Sequence, residues 1–168
     1  KTQHEGRYGE YLEFPLGFRT VEVSKGEIAV NAKPVTLRVY EVDPQQVTEN
    51  LLARLRELGY NTLLPTPGPI PASLLDMCDI QGLYLIAQAP IDTSKSGDSR
   101  RKAGNPSNDP AWRQAFIERT ESAYHTSKRH PSVIAFSLAR KSANGINLYE
   151  SYLDLKRYND PRPIIYPE

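Results

Sequence analysis

The first thirty or so residues alternate between apolar and polar positions, which is typical of half-buried β-strands. Leu12, Phe14 and Leu16 alternate within an extended stretch at 8–23. A turn at 24–27, a short apolar run at 28–30 and a second turn at 31–34 follow. This part of the chain is therefore predicted to form a hairpin-like β-structure.

Beyond residue 34 the pattern changes to an alternation of strands and helices. Strands are predicted at 35–40, 60–64, 83–87, 133–138 and 162–166, where β-branched or continuous apolar residues cluster. Helices are predicted from Asp43-Pro44 to Leu58, at 71–81, from Asp109-Pro110 onward and at 147–157. The first helix carries an apolar stripe of Val47, Leu51, Leu55 and Leu58. One face of the third helix is predicted to consist of Trp112, Ala115, Phe116, Arg119 and Ala123.

This order of elements predicts a parallel α/β fold with right-handed crossovers. Five strands and four helices fit either an open sheet or the first part of an eight-stranded barrel. A complete barrel takes roughly 250 residues, and the chain has 168. A polar stretch at 90–108 is predicted to be a long loop.

Composition and charge exclude several classes of function. The 21 Lys and Arg nearly balance the 20 Asp and Glu, so no cation excess favours nucleic-acid binding. No apolar run approaches the ~20 residues of a membrane span. Cys78 is the single cysteine, predicted to be a buried small hydrophobe, and His4, His125 and His130 lack metal-ligand spacing. We therefore predict no metal and no cofactor.

Several segments together resemble glycoside hydrolase family 2, which includes β-galactosidases, β-glucuronidases and β-mannosidases. Segments 17–22 (GFRTVE) and 30–35 (NAKP within VNAKPV) resemble the junction between an immunoglobulin-like domain and the family's catalytic barrel. The likeness continues at 58–61, 75–84 and 162–166, and is strongest in 109–113 (DPAWR) and 130–138 (HPSVIAFSL). The resemblance implies a partial (β/α)₈ TIM barrel of about five parallel strands and four helices after a β-hairpin.

The same resemblance implies a division into two parts. Residues 1–33 would be a β-hairpin and linker from a preceding immunoglobulin-like domain, and residues 34–168 a truncated glycosidase-like barrel domain. The partners expected are then other domains of a larger parent chain, or a second copy covering the exposed sheet edges. A secreted or periplasmic location is favoured by the resemblance only.

The family's chemistry is absent where the resemblance would place it. Retaining glycosidases use two carboxylic acids, and in this family the proton donor follows Ser-Leu in a Gly-Asn-Glu segment. Here Ser137-Leu138 is followed by Ala139, Arg140 and Lys141, so Lys141 stands at the glutamate position. A lysine ammonium gives up its proton reluctantly near neutral pH. The family's nucleophile would lie beyond residue 168. We therefore predict no catalytic residue.

Sugar-contacting stretches differ from the family at the other strand ends too. The family's Asn-Arg-His-Glu stretch reads Tyr-Glu-Val-Asp at 40–43, and its Asp-Glu-Ala-Asn stretch reads Ala-Gln-Ala-Pro at 87–90. Because barrel active sites form at these ends, candidate substrate-binding residues remain Tyr40, Gln88, Arg140, Lys141 and Tyr166.

Each candidate has a structural alternative. Arg140 and Lys141 are expected to be solvated or paired with Asp92 or Glu41 rather than to bind an anion. The tyrosines are equally often packing residues. Trp112 is expected to anchor the core, His130 to be structural, and 100–102 (RRK) to be a solvated loop.

Three functions remain open. The first is a catalytically degenerate glycosidase-like domain with a structural or carbohydrate-binding role. The second is part of an active β-glycosidase whose carboxylates come from another segment. The third is an assembly module that acts through exposed sheet edges.

Overall fold

The computed structural model describes residues 2–4, 7–10, 13, 15–97, 99 and 101–166. The predicted strand positions Leu12 and Phe14, and the loop residue Arg100, lie outside these ranges. The strands are Thr2–His4 (β1), Arg7–Glu10 (β2), Val21–Ser24 (β3), Glu27–Val30 (β4), Lys33–Val35 (β5), Val39–Val42 (β6), Thr62–Pro65 (β7), Tyr84–Gln88 (β8), Val133–Ser137 (β9) and Ile164–Ile165 (β10). The α-helices are Glu49–Glu57 (α1), Ala72–Gln81 (α2), Arg113–Ser127 (α3) and Ile146–Lys156 (α4).

Strands β6 to β10 form one parallel sheet in the order β10-β9-β8-β7-β6. Neighbours in the sheet are neighbours in sequence, so the chain winds in a single direction. This order is that of a barrel, since a doubly wound open sheet reverses its strand order at a switch point. The predicted fold class, a partial TIM barrel of five parallel strands and four helices, is confirmed.

The main core lies between this sheet and its helices. Every residue of β9 is buried, as expected for a strand covered on both faces. The largest fully buried side chains alternate between strands and helices, among them Leu52, Leu63, Leu74, Leu85, Phe116, Ile134 and Leu148.

A three-stranded antiparallel sheet, β3-β4-β5, packs against the start of β9. The register between β8 and β9 shifts after Leu85, so that Ile134 has no partner residue in β8. Such a bulge redirects a side chain, and Ile134 packs with Val21 and Val30 of the smaller sheet. The N-terminal β-structure therefore covers the N-terminal end of the parallel sheet.

The segment before β3 also contacts the start of β9. A Cβ on Gly17 would lie 2.4 Å from Pro131 Cγ, so any larger residue would force Pro131 or the backbone to shift. Two residues on, Arg19 Nε donates to the carbonyl oxygen of Val133 at 2.9 Å. The proposed boundary between residues 33 and 34 falls inside β5, and the division at that point stays a prediction.

The predicted start of the first barrel strand and helix is wrong. Val35 belongs to β5 and pairs with Ile28, and the barrel strand begins only at Val39. Asp43 accepts a hydrogen bond from Gln45 N in a turn, whereas Thr48 caps α1 by accepting from Leu51 N. An Asp-Pro pair favours a tight turn as well as a helix start, and here the turn forms.

Two expectations about buried faces are also wrong. Leu58 is 58 % exposed, and Leu52 takes its place in the α1 core together with Leu55. Trp112 is 45 % exposed because the Asp109-Pro110 signal starts a 3₁₀ turn at Pro110–Trp112 before α3. The buried face of α3 consists of Phe116, Thr120, Tyr124 and Ser127.

Candidate functional site

A cleft of roughly 290 Å³ opens at the carboxyl ends of the parallel strands, which is where barrel enzymes place their sites. Its floor is apolar and comprises Val39, Leu64, Ile86, Ala139 and Ile165. Its polar lining comprises Gln88, Ser137, Arg140 and Lys141. Three of the five sequence candidates, Gln88, Arg140 and Lys141, therefore line one cleft.

The segment after β9 carries both cations of the cleft. Arg140 N donates to the carbonyl oxygen of Ile91 at 2.8 Å, and Asp92 and Arg140 form an isolated parallel β-bridge. Ser142 Oγ donates to the carbonyl oxygen of Arg140 at 2.9 Å and accepts from Thr93 N at 3.1 Å. These bonds fix the backbone on both sides of Lys141.

Lys141 itself has an unusual backbone. Its φ is +41°, in the left-handed region that non-glycine residues rarely occupy. The side chain is exposed at the edge of the cleft. Left-handed residues of this kind cluster at functional sites, where the surrounding bonds hold them.

Arg140 is paired with a carboxylate on a strand three positions away in the sheet. Its Nη2 lies 2.5 Å from Glu41 Oε1, and the Arg140 side chain is 23 % exposed. Glu41 lies on β6, and Arg140 follows β9, three strands away. The expectation that Arg140 pairs with Glu41 is confirmed, and Lys141 forms no ion pair with any residue that the structure describes.

Asp92 is the second carboxylate near the two cations. Its Oδ1 accepts from Ser94 N at 2.9 Å. The hydrogen bonds from Ser94, then the charges of Arg140 and Lys141, hold the pKa of Asp92 below its ordinary value. Asp92 is therefore ionised at neutral pH, which does not suit a proton donor.

Gln88 is the buried polar residue of the cleft, 3 % exposed. Its Nε2 donates to the carbonyl oxygen of Pro65 at 2.8 Å, joining the ends of β8 and β7. Beside it, Ser137 Oγ donates to the carbonyl oxygen of Ala139 at 3.0 Å. Both side chains are held in place by the backbone around them.

The two tyrosine candidates do not line the cleft. Tyr40 packs edge-on against Tyr60, with ring centroids 5.2 Å apart, and contacts the main core. Tyr166 OH donates to Asn144 Oδ1 at 2.7 Å, and burial raises the pKa of this hydroxyl. Tyr166 thus holds the loop that follows Lys141.

The sequence interpretation missed the residues that brace this loop. Gly145 approaches so closely that a Cβ there would lie 2.3 Å from the carbonyl oxygen of Ser107. Asn147 is 1 % exposed and donates to the carbonyl oxygens of Pro106 and Asp109, at 2.7 and 2.8 Å. The Asn-Gly pair at 144–145 was the available signal, but it indicates only a turn.

At the other end of β9 lies the one group in the described part of the chain whose donor atoms are close enough for a metal: Asp76, Asp79 and His130. His130 Nδ1 lies 2.7 Å from Asp79 Oδ2, and Asp79 Oδ1 accepts from Ser132 N at 2.9 Å. His130 and Asp79 already bind each other, and His130 is buried. The arrangement agrees with the structural role predicted for His130.

Cys78 is fully buried, and burial raises the pKa of its thiol to about 12. This confirms that it is a packing residue. Among the described helices, none is long and apolar enough to cross a membrane.

Comparison with known proteins identifies relatives over nearly all of the chain. Residues 21–168 match the family model described as glycosyl hydrolases family 2, TIM barrel domain. A β-galactosidase of Vibrio vulnificus (strain YJ016) is 30 % identical over 171 residues, covering 94 % of this chain and 16 % of that protein. A β-galactosidase of Arthrobacter sp. (strain B7) is 30 % identical over 152 residues, covering 83 % of this chain and 15 % of that protein.

Solved structures give the same fold. A β-glucuronidase from Ruminococcus gnavus, in complex with N1-substituted uronic isofagomine, superposes with a TM-score of 0.70 at 21 % identity, covering 90 % of this chain and 27 % of that one. A β-glucuronidase from an uncultured Clostridium sp. superposes with a TM-score of 0.72 at 20 % identity, covering 90 % and 29 %. The chain thus spans about a sixth of the length of the curated relatives it matches.

Proposed function

Because the chain belongs to glycosyl hydrolase family 2, in its TIM barrel domain, we propose that it is a glycosidase-like segment that has lost acid catalysis and keeps a carbohydrate-binding role. The observation that carries the proposal is that Lys141, expected from the resemblance at the family's proton-donor position, lies at the edge of the cleft.

The composition of the cleft supports the loss of catalysis. Retaining hydrolysis needs two carboxyl groups about 5 Å apart on either side of the glycosidic bond. The described residues that line the cleft include no carboxylic acid. The nearby Glu41 is ion-paired with Arg140, and Asp92 accepts from Ser94, so neither is placed as a free acid.

The shape and chemistry of the cleft support retained binding. Its volume of roughly 290 Å³ lies at the lower end of small-molecule sites, about 300–1,000 Å³. An apolar floor with a few fixed polar groups is the usual arrangement in such sites. A single sugar ring fits this description, since one face of a pyranose is apolar and its hydroxyls need hydrogen-bond partners.

A second candidate function follows from the small part of each relative that this chain matches. The matched β-galactosidases extend far beyond this region, which accounts for 15–16 % of their length. The parent protein would then be an active β-glycosidase in which another segment supplies the carboxylates. In that case the other domains of the parent chain are the partners of this one.

Hydrolysis of nitrophenyl β-galactoside and β-glucuronide separates the two candidates. Wild-type protein is expected to release no nitrophenol above the rate of a buffer blank, and Lys141→Ala is expected to behave identically. Release by the wild type that persists in Lys141→Ala would contradict the proposed loss of catalysis. Release by the longer parent protein alone would favour the second candidate.

A further inference from the structure

We propose that Asn144 is a site of self-modification in the folded protein. The Tyr166 hydroxyl promotes attack of the Gly145 backbone nitrogen on the Asn144 side-chain amide, which converts Asn144 to aspartate and isoaspartate. The reaction needs only water from the solvent as a co-reactant. The inference does not depend on the carbohydrate-binding role proposed above, because it concerns the loop that follows Lys141 rather than the lining of the cleft.

The Asn144-Gly145 pair carries both reacting groups, and it is the only Asn-Gly pair in the sequence. Glycine has no Cβ, so no side chain at 145 shields its backbone nitrogen from a neighbouring carbonyl carbon. Asn144 is exposed. The ammonia that the reaction releases can therefore leave, and water can reach the product.

A single hydroxyl contacts both reacting groups. Tyr166 OH donates to Asn144 Oδ1 at 2.7 Å and accepts from Gly145 N at 3.4 Å. The hydroxyl also lies 3.5 Å from the carbonyl oxygen of Gly145, but its one proton goes to the shorter contact. Burial raises the pKa of this hydroxyl, so at neutral pH it stays protonated and can donate and accept at once.

This placement suits a proton relay. As the lone pair of Gly145 N forms a bond to Asn144 Cγ, the electron pair of the C=O bond moves to Oδ1. Oδ1 takes the hydroxyl proton of Tyr166, and Tyr166 takes the proton of Gly145 N, so no net charge develops. The intermediate then re-forms its C=O bond and expels Nδ2 as ammonia, which carries away the Oδ1 proton. Water opens the resulting cyclic imide to aspartate or isoaspartate.

The surrounding hydrogen bonds hold the pair beside Tyr166. Asn108 Nδ2 donates to the carbonyl oxygen of Asn144 at 3.3 Å, and Tyr149 N donates to that of Gly145 at 3.2 Å. Groups that are already held together react without the entropic cost of bringing them into place. An unfolded chain lacks both this arrangement and the hydroxyl, so we expect the folded protein to react faster.

The modification changes the loop that carries Lys141. Aspartate at 144 adds a negative charge to this loop, and isoaspartate adds a methylene group to its backbone. Gly145 already lies so close to the carbonyl oxygen of Ser107 that even a Cβ would overlap it. A longer backbone therefore displaces the loop, and we expect the isoaspartate form to unfold at a lower temperature than the unmodified protein.

The test follows the full chain near neutral pH by peptide mapping with mass spectrometry, which separates the asparagine, aspartate and isoaspartate forms of residue 144. Folded wild-type protein is expected to convert at least about tenfold faster than the same protein in concentrated urea. Folded Tyr166→Phe is expected to convert at least about tenfold more slowly than folded wild type, because it lacks the relay. In urea the two proteins are expected to convert at equal rates.

Two controls accompany the comparison. Tyr84→Phe removes a hydroxyl at the start of β8, at the opposite end of the parallel sheet, and is expected to leave the rate at Asn144 unchanged. Asn159, which is exposed and precedes Asp160, is expected to convert more slowly than Asn144 in the same map. Far-UV circular dichroism checks that each variant folds, and the comparison of folded and urea-treated wild type does not depend on any variant.

Each other outcome contradicts a distinct part of the account. Conversion of the folded wild type that is no faster than in urea overturns the inference and shows that the fold protects the pair. A rate in folded Tyr166→Phe equal to or above that of the wild type overturns the role of the hydroxyl. Equal thermal midpoints of the purified isoaspartate form and the unmodified protein overturn the expected displacement of the loop.

Discussion

Lys141 combines a cationic side chain at the cleft with a rare backbone conformation. Its side chain is an exposed cation at the edge of the cleft, and its φ of +41° places it in the left-handed region. For residues with a Cβ this region costs roughly 1–2 kcal/mol. The hydrogen bonds of Arg140 N to Ile91 O and of Ser142 Oγ to Arg140 O keep the backbone of Lys141 in this conformation despite its cost.

Lys141→Gly is therefore expected to stabilise the protein by about 0.5–1 kcal/mol, because glycine adopts this φ without strain at a smaller entropic cost. Lys141→Ala keeps the Cβ and is the matched control, expected to be neutral within about 0.5 kcal/mol. Urea unfolding midpoints compare the three proteins. Equal destabilisation by both variants would show that the lysine side chain, not its backbone, determines stability here.

Asp160 gives the fold a predictable response to acid. Burial alone would raise the pKa of Asp160. Hydrogen bonds from Arg162, the positive charge of Arg162 and a hydrogen bond from Tyr124 OH outweigh burial, so the pKa of Asp160 is lowered. The resulting stabilisation is fully present above the ordinary carboxyl pKa of about 3.9. It is lost as the pH falls through the lowered value of the folded state.

Asp160→Asn is accordingly expected to be less stable than the wild type at pH 7, with a difference that shrinks as the pH falls below about 4. Unfolding by urea at pH 7, 5 and 3 measures this difference. A difference that stays constant down to pH 3 would mean that the carboxylate charge contributes nothing.

At the scale of elements, the loop after β9 depends on a contact with a distant loop. Gly145 lies against Ser107 and Asn108, and Asn147 at the start of α4 binds the carbonyl oxygens of Pro106 and Asp109. The 3₁₀ turn at Pro106–Asn108 therefore supports the segment that carries Arg140 and Lys141.

Gly145→Ala tests this support. Its Cβ would meet Ser107 O at 2.3 Å, and overpacking against backbone typically costs about 1–3 kcal/mol. Gly68→Ala is the matched control, since the nearest atom to its Cβ is 3.9 Å away, and it is expected to be neutral. Thermal unfolding compares the two, and equal midpoints would contradict the proposed contact.

Helices and strands were predictable where the pattern lies within one short stretch of sequence. The strands at 83–87 and 133–138 were recognised because both faces are covered, which leaves a continuous apolar run. The start of α1 was not, because Asp43-Pro44 fits a turn and a helix cap equally well, and only the structure shows that Thr48 is the cap. The bulge at Ile134 depends on packing against β3 and β4, which no local pattern reports.

At the scale of the whole molecule, the sheet ends in two edge strands. In the described part of the chain, β6 pairs only with β7 and β10 only with β9. Unpaired strand edges favour association, so we propose that other segments of the parent protein cover them. The small sheet β3-β4-β5 covers the N-terminal end of the strands and leaves both edges open.

The candidate site was predictable only in part. The positions of Gln88, Arg140 and Lys141 follow from the rule that barrel sites lie at strand ends. Whether a strand-end side chain faces the cleft or the helices depends on register, and a shift of one residue separates Tyr40, in the core, from Glu41, which is paired with Arg140. Register was not fixed by the sequence pattern, because the strand was expected to begin at residue 35.

Saturation-transfer NMR on nitrophenyl β-galactoside and β-glucuronide tests the central claim most directly, because a single sample reports both contact with the protein and cleavage of the ligand. The account predicts transfer of magnetisation from the protein to the sugar protons, with no free sugar or nitrophenol signals appearing over time. Product signals that grow in the wild type and persist in Lys141→Ala would contradict it.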